Sequence, residues 1–215
     1  KDWFKEAGIN VPATMDELLA VAKKMTGQGR YGITQRARRG HPIVYSFAQF
    51  LHPFGGAWAD KDMKPTLDRP EALEALNYYI KLMKYAPPDA ANWSWEESIS
   101  AFQQGKVAMW LDANVPTFIE DPKVSQVVGK VGYAQVPKGK KLATAVAGWT
   151  LAVPRGSRNK ELAFRFIQAT SNKANAERIF RRGRDPIRVS TFENPKLVKE
   201  FPYLPLLLEN LKYGV

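Results

Sequence analysis

The chain has 215 residues, a mass of 24.2 kDa, a net charge of +11 and no cysteine. The missing cysteine excludes disulfides, thiolate metal sites and cysteine nucleophiles, and no apolar run approaches the ~20 residues that span a bilayer. The basic excess, clustered at Arg36-Arg38-Arg39, Lys138-Lys140-Lys141 and Arg181-Arg182-Arg184, fits a polyanion partner or a plain repulsive surface. No nucleic-acid module pattern accompanies it, which favours the plain surface.

Lys1-Asp2-Trp3-Phe4 is not a signal peptide and reads like mid-protein sequence, so a front part is expected before it. Thr14-Met15-Asp16-Glu17 is a capping box, and Leu18, Leu19, Ala22 and Met25 then fall on one helical face. Tyr31-Gly32-Ile33-Thr34 reads as a short strand and Pro42 to Leu51 as an aromatic-rich helix. Asp68 is expected to cap the next helix, with Pro70 in its first turn and Leu73, Leu76, Tyr79, Ile80 and Met83 as its apolar side. Ser94-Trp95-Glu96-Glu97 is a second capping box, closed by Gly105 after Ile99 and Phe102. Val107 to Leu111 is a continuous apolar run suited to a strand buried on both faces, and Asp112 ends it abruptly. Val131 to Ala134 and Val146 to Val153 read as further strands, with a Lys- and Gly-rich linker at 137–144 between them. Helices follow at 160–169 and 173–180. Strands alternating with helical patterns predict an α/β fold.

Catalytic and metal signatures are absent. His41 and His52 each precede a proline without a carboxylate at ligand spacing, and there is no HExxH, GxGxxG, Walker loop or GxSxG. No cofactor and no metal are expected. Glu96 and Glu97, with Asp112, could form a hydrolytic carboxylate pair, although capping already explains Glu97. Among six tryptophans, Trp93, Trp95 and Trp149 lie beside strand or helix ends, next to Asn92, Ser94, Gly148 and Thr150. Sugars place C–H faces on indole rings while their hydroxyls need donors and acceptors, and α/β ligands gather at strand ends. Core packing is the competing reading for each ring.

Lys1-Asp2-Trp3-Phe4-Lys5-Glu6-Ala7-Gly8-Ile9 with Pro12-Ala13-Thr14-Met15-Asp16-Glu17-Leu18 resembles the opening segment of the C-terminal lobe in family 1 extracellular solute-binding proteins. Phe102-Gln103-Gln104-Gly105-Lys106-Val107-Ala108-Met109 resembles their helix–strand signature, and Gly148-Trp149-Thr150-Leu151-Ala152-Val153-Pro154 their later strand. Tyr31-Gly32-Ile33 with Arg36, Arg39-Gly40-His41-Pro42, Phe54-Gly55-Gly56, Met109 to Ala113 and Arg188 to Pro195 are similar to the sugar-alcohol branch. The resemblance implies a periplasmic-binding-protein-like two-lobe clamp, of which residues 1–144 form the main part of the C-terminal lobe. Residues 145–184 are then expected in the N-terminal lobe, and 185–215 return to the hinge and C-terminal lobe. It implies no enzyme, but the substrate-binding component of an ABC importer, a monomer outside the cytoplasmic membrane, periplasmic or lipid-anchored. Its partners would be a sugar or polyol and the permease, without nucleic acid. The ligand residues expected are Trp149 as stacking platform, Asp112 and Arg188 as hydroxyl partners, and Arg36, Trp93 and Asn114 beside them. A glycan hydrolase and a basic nucleic-acid module are the rival classes.

Overall fold

The computed structural model describes residues 1–112 and 116–215, so Asn114 lies outside the described residues. Helix α1 (Asp2–Glu6) leads to α2 (Met15–Lys24). Thr14 caps α2 as expected, its Oγ1 accepting from the Glu17 amide at 3.2 Å, but the Glu17 carboxylate reaches one residue beyond the N-cap and accepts from the Ala13 amide at 2.7 Å. Acidic residues in its first turn and lysines in its last complement the helix dipole.

Strand β1 (Tyr31–Thr34) follows, then α3 (His41–Leu51), α4 (Pro70–Met83), α5 (Trp95–Gln103) and β2 (Val107–Trp110). β1 and β2 pair in parallel with Tyr31 opposite Val107, Ile33 opposite Met109 and Thr34 opposite Trp110. Three helices thus form the crossover that parallel pairing demands. Gly32 is required by packing: a Cβ there would stand 1.9 Å from the Ala22 carbonyl oxygen, so only glycine lets β1 lie this close to α2. The core on this face joins Leu18, Ala22, Ile33, Phe50, Ala75, Tyr78, Tyr79 and Leu82. A second core packs Ile99, Ile119 and Val131 with Trp110 and Phe102.

After α6 (Pro116–Ile119) the chain carries only helices as regular elements: α7 (Lys160–Ser171), α8 (Lys173–Arg181), α9 (Val189–Phe192), α10 (Pro195–Glu200) and α11 (Leu204–Leu211). Phe180 of α8 packs with Phe192, Leu197, Tyr203, Leu204 and Leu207 in a third core. Thr144 pairs alongside Gly214: its amide donates to the Tyr213 carbonyl at 2.9 Å and its carbonyl accepts from the Val215 amide at 3.0 Å.

Three local expectations are corrected. Arg69, not Asp68, is the N-cap of α4, and it makes no side-chain cap bond; Pro70 at the first turn needs no partner for a missing N–H. The buried face of α4 is Ala72, Ala75, Tyr78, Tyr79 and Leu82, whereas Leu73, Leu76 and Ile80 are exposed. Small alanines let α4 approach its neighbours closely, while Tyr78, Tyr79 and Leu82 fill the core beside them. Val131 to Ala134 and Val146 to Val153 form no strand, because the described residues offer them no ladder.

Candidate functional site

Arg36 lies just beyond the end of β1 and Asp112 just beyond the end of β2. Because the strands are parallel, both residues emerge at the same carboxyl end of the sheet. There they meet. Arg36 Nε donates to Asp112 Oδ1 at 3.0 Å and to Oδ2 at 2.8 Å, and Nη2 donates to Oδ1 as well. The side chains are 14% and 5% exposed. A two-nitrogen grip of this kind fixes the carboxylate plane as well as its charge.

The pair is held by its surroundings. The Tyr45 ring of α3 lies 5.1 Å from the Arg36 guanidinium carbon, within cation–π range. The Tyr79 hydroxyl of α4 donates to the Arg36 carbonyl at 2.6 Å. Burial raises the Tyr79 pKa, so the phenol keeps the proton it donates. The Trp93 carbonyl accepts from the Ala37 and Arg38 amides at 3.1 and 2.9 Å, which ties the loop after β1 to the turn before α5.

Of the six residues singled out in the sequence, Arg36, Asp112 and Trp93 therefore share one end of the sheet. Arg188 is elsewhere: its Nε donates to the Ser171 carbonyl at 2.6 Å, at the end of α7. Trp149 is 93% exposed on the 145–159 segment. Tyr45 and Tyr79 were missed. Their distance in sequence from Arg36 carries no motif, and their aromatic character reads equally as core.

The rival carboxylates have other roles. Glu97 accepts the Ser94 amide at 2.8 Å, completing the second capping box, and this bond lowers its pKa. Glu96 is exposed in the same first turn. Among the described residues no group of three or more His, Asp or Glu could hold a metal ion, and no helix is long and apolar enough to cross a membrane.

A parallel β–α lobe that presents a paired guanidinium and carboxylate at its strand ends is an α/β ligand-binding lobe by architecture. Residues 1–177 match the family of bacterial extracellular solute-binding proteins, and the chain belongs to that family. It is 31% identical to the mannitol-binding protein of Pseudomonas aeruginosa, over 99% of this chain and 52% of that protein. Two solved solute-binding proteins share the fold across the whole chain. One, from Agrobacterium radiobacter K84, holds ribitol, with a TM-score of 0.90 and 33% identity, and this chain covers 56% of it. The other, from Agrobacterium vitis S4, holds D-mannitol, with a TM-score of 0.89 and 31% identity, and 55% of it is covered. The chain thus has the periplasmic-binding-protein-like α/β fold and spans about half the length of the curated relatives it matches.

Proposed function

We propose that residues 1–215 are the larger part of the substrate-binding component of an ABC importer, which takes a sugar or sugar alcohol between two lobes and hands it to a membrane permease. The observation that carries this reading is the Arg36–Asp112 pair at the carboxyl end of the parallel strands. A polyol needs donors and acceptors fixed in alternation, and a carboxylate oriented by a guanidinium supplies both. No bond is made or broken. Ligand contacting both lobes stabilises the closed form, and the closed form docks on the permease. The protein works outside the cytoplasmic membrane, in the periplasm or tethered to the outer face.

In this reading 1–144 form most of one lobe, 145–184 belong to the other, and 185–215 return. Support for the division comes from α7, which has no buried residue, and from the exposed Trp149, Leu151, Leu162 and Phe166 around it. Such apolar surface belongs against further protein. The pairing of Thr144 with Gly214 brings the outgoing and returning stretches side by side, as a hinge requires. Trp149 offers a ring face to ligand from the second lobe, and Arg188 and Asn114 complete the polar set.

Calorimetric titration of the complete protein with D-mannitol, ribitol and maltose tests the proposal. Micromolar or tighter binding of a polyol or sugar, released unchanged, is expected. Turnover of a glycoside, or tight sequence-selective nucleic-acid binding at ~150 mM salt, would replace this reading with one of its rivals.

A further inference from the structure

One face of α3 touches two distant parts of the chain. Tyr45 and Gln49 are four residues apart on this 11-residue helix. They therefore lie one above the other, about 6 Å apart along its axis. Tyr45 takes the Arg36 guanidinium over its ring, and Gln49 Oε1 accepts from the Thr144 hydroxyl at 3.1 Å. Another side of α3 is locked into the first core, where Phe50 is wholly buried and stacks on Tyr79. Tyr79 in turn donates to the Arg36 carbonyl.

Thr144 is buried, and its backbone is committed to the returning stretch: its amide donates to Tyr213 and its carbonyl accepts from Val215. The hydroxyl is the polar group it has left. Among the described residues, Gln49 to Thr144 is the only side-chain hydrogen bond that joins α3 to residues 137–144 or 213–215. The approach to Thr144 is fastened at the same end of the helix. The Lys141 amide donates to the Pro53 carbonyl at 3.1 Å. Gly139 lies so near that a Cβ there would stand 2.7 Å from that oxygen.

We propose that Gln49 is a positioning residue for ligand binding: it pins the stretch that leaves this lobe to α3, and α3 ties that anchor to the Arg36–Asp112 pair one helical turn away. The proposal rests on the two-lobe reading above. A helix packed into a core moves as a body, because close-packed interiors do not deform continuously. A displacement of Arg36 by ligand is thus carried through Tyr45 and α3 to Thr144. In the other direction, the anchor at Thr144 fixes where the chain departs, and Trp149 follows only five residues later. Without the anchor, closing on ligand must also order a loosened crossing, which weakens binding. The residue type suits the task. A neutral amide oxygen takes a buried hydroxyl proton without placing a charge there, and a leucine of similar size cannot.

Two measurements on the complete protein test it. In hydrogen exchange without ligand, Gln49→Leu is expected to speed the Thr144 and Val215 amides about 10-fold, and Gln49→Glu, which keeps an acceptor, to leave them near the native rate. In titrations with D-mannitol and ribitol, Gln49→Leu and Thr144→Val should each weaken binding roughly 3- to 10-fold, the worth of one hydrogen bond. The double variant should bind no more weakly than either single one, because all three lack the same bond. Should Gln49→Leu not fold, Thr144→Val makes the same deletion from the other side. Unchanged exchange overturns the proposal whatever the protein binds. Faster exchange with native affinity, or additive losses in the double variant, overturns the positioning role. A native protein that binds neither polyol refutes the functional reading instead, and exchange in the ligand-free protein still decides whether Gln49 holds the crossing.

Discussion

At the scale of single residues, the pairing of Arg36 with Asp112 changes what mutation should do. A carboxylate free to wait for ligand could be altered with little loss of stability. This one is 5% exposed and gripped by a guanidinium, and removing one member of a buried pair leaves an uncompensated charge. Asp112→Asn is therefore expected to lower stability by about 3 kcal/mol, read as a fall in Tm of the ligand-free protein. It is also expected to weaken polyol binding by roughly 10- to 100-fold, because hydrogen bonds to charged groups contribute about 1.5–3 kcal/mol. Calorimetry at a temperature where the variant is fully folded separates the two effects, and unchanged affinity there would make the pair purely structural. Asp112 was legible as the abrupt end of an apolar run, and Arg36 as part of a motif. That they touch was not, since 76 residues separate them and nothing in either neighbourhood names the other.

His52 gives a pH dependence with a definite sign. It is buried at the end of α3, and desolvation lowers its pKa, with the Lys141 charge pushing the same way. The unfolded chain then binds a proton that the folded chain refuses between the depressed folded value and the ordinary one near 6.5. Stability from neutral His52 is fully present above the unfolded value and is lost as pH falls through that window. Thermal melts between pH 8 and pH 5 should show Tm declining below about pH 6.5, and His52→Gln should flatten that decline. An identical slope in the variant would place the sensitivity elsewhere.

At the scale of elements, helices were far more legible than strands, for a physical reason. A helix satisfies its backbone internally, so capping boxes at Thr14 and Ser94 and the pattern from Lys160 onward suffice to place it. A strand needs a neighbour. Val131 to Ala134 and Val146 to Val153 carry strand-like sequence, but no ladder forms along either among the described residues. The faces of α4 were misread because large apolar residues drew attention from small ones. Ala75 is fully buried between α2, α3 and β1, whereas Ile80 is 52% exposed. Ala75→Leu should therefore cost about 1–3 kcal/mol by overpacking, while Ile80→Lys should stay within about 0.5 kcal/mol. Urea denaturation of the two variants checks the assignment, and the opposite ranking would restore the face read from the sequence. Gly32→Ala should be worse than either, since its Cβ would be driven into the Ala22 carbonyl.

At the scale of the whole molecule, the distribution of apolar surface says how the parts are meant to work. Residues 1–112 and 116–133 close two cores around β1 and β2, and Arg36 and Asp112 present the charged pair. The 145–170 stretch closes none: α7 buries nothing, and Trp149 stands almost wholly in solvent. Both facts follow from the proposed two-lobe clamp, in which one lobe is largely present here and the other is represented by a single crossing. Binding in a clamp draws its affinity from contacts on both sides, and a ligand shifts the open–closed equilibrium only through that difference. Residues 1–215 alone are thus expected to bind D-mannitol or ribitol at least 100-fold more weakly than the complete protein, a difference of about 2.7 kcal/mol. In the complete protein Trp149→Ala should cost about 1–3 kcal/mol of affinity, as loss of stacking does for other ring-bound ligands, with little change in ligand-free Tm and loss of the ligand-induced rise. Parallel titrations of the fragment, the complete protein and the variant decide the matter. Equal affinity of fragment and complete protein would show that the Arg36–Asp112 end of one lobe binds alone. A variant that melts far lower yet keeps its affinity would return Trp149 to the core of the second lobe.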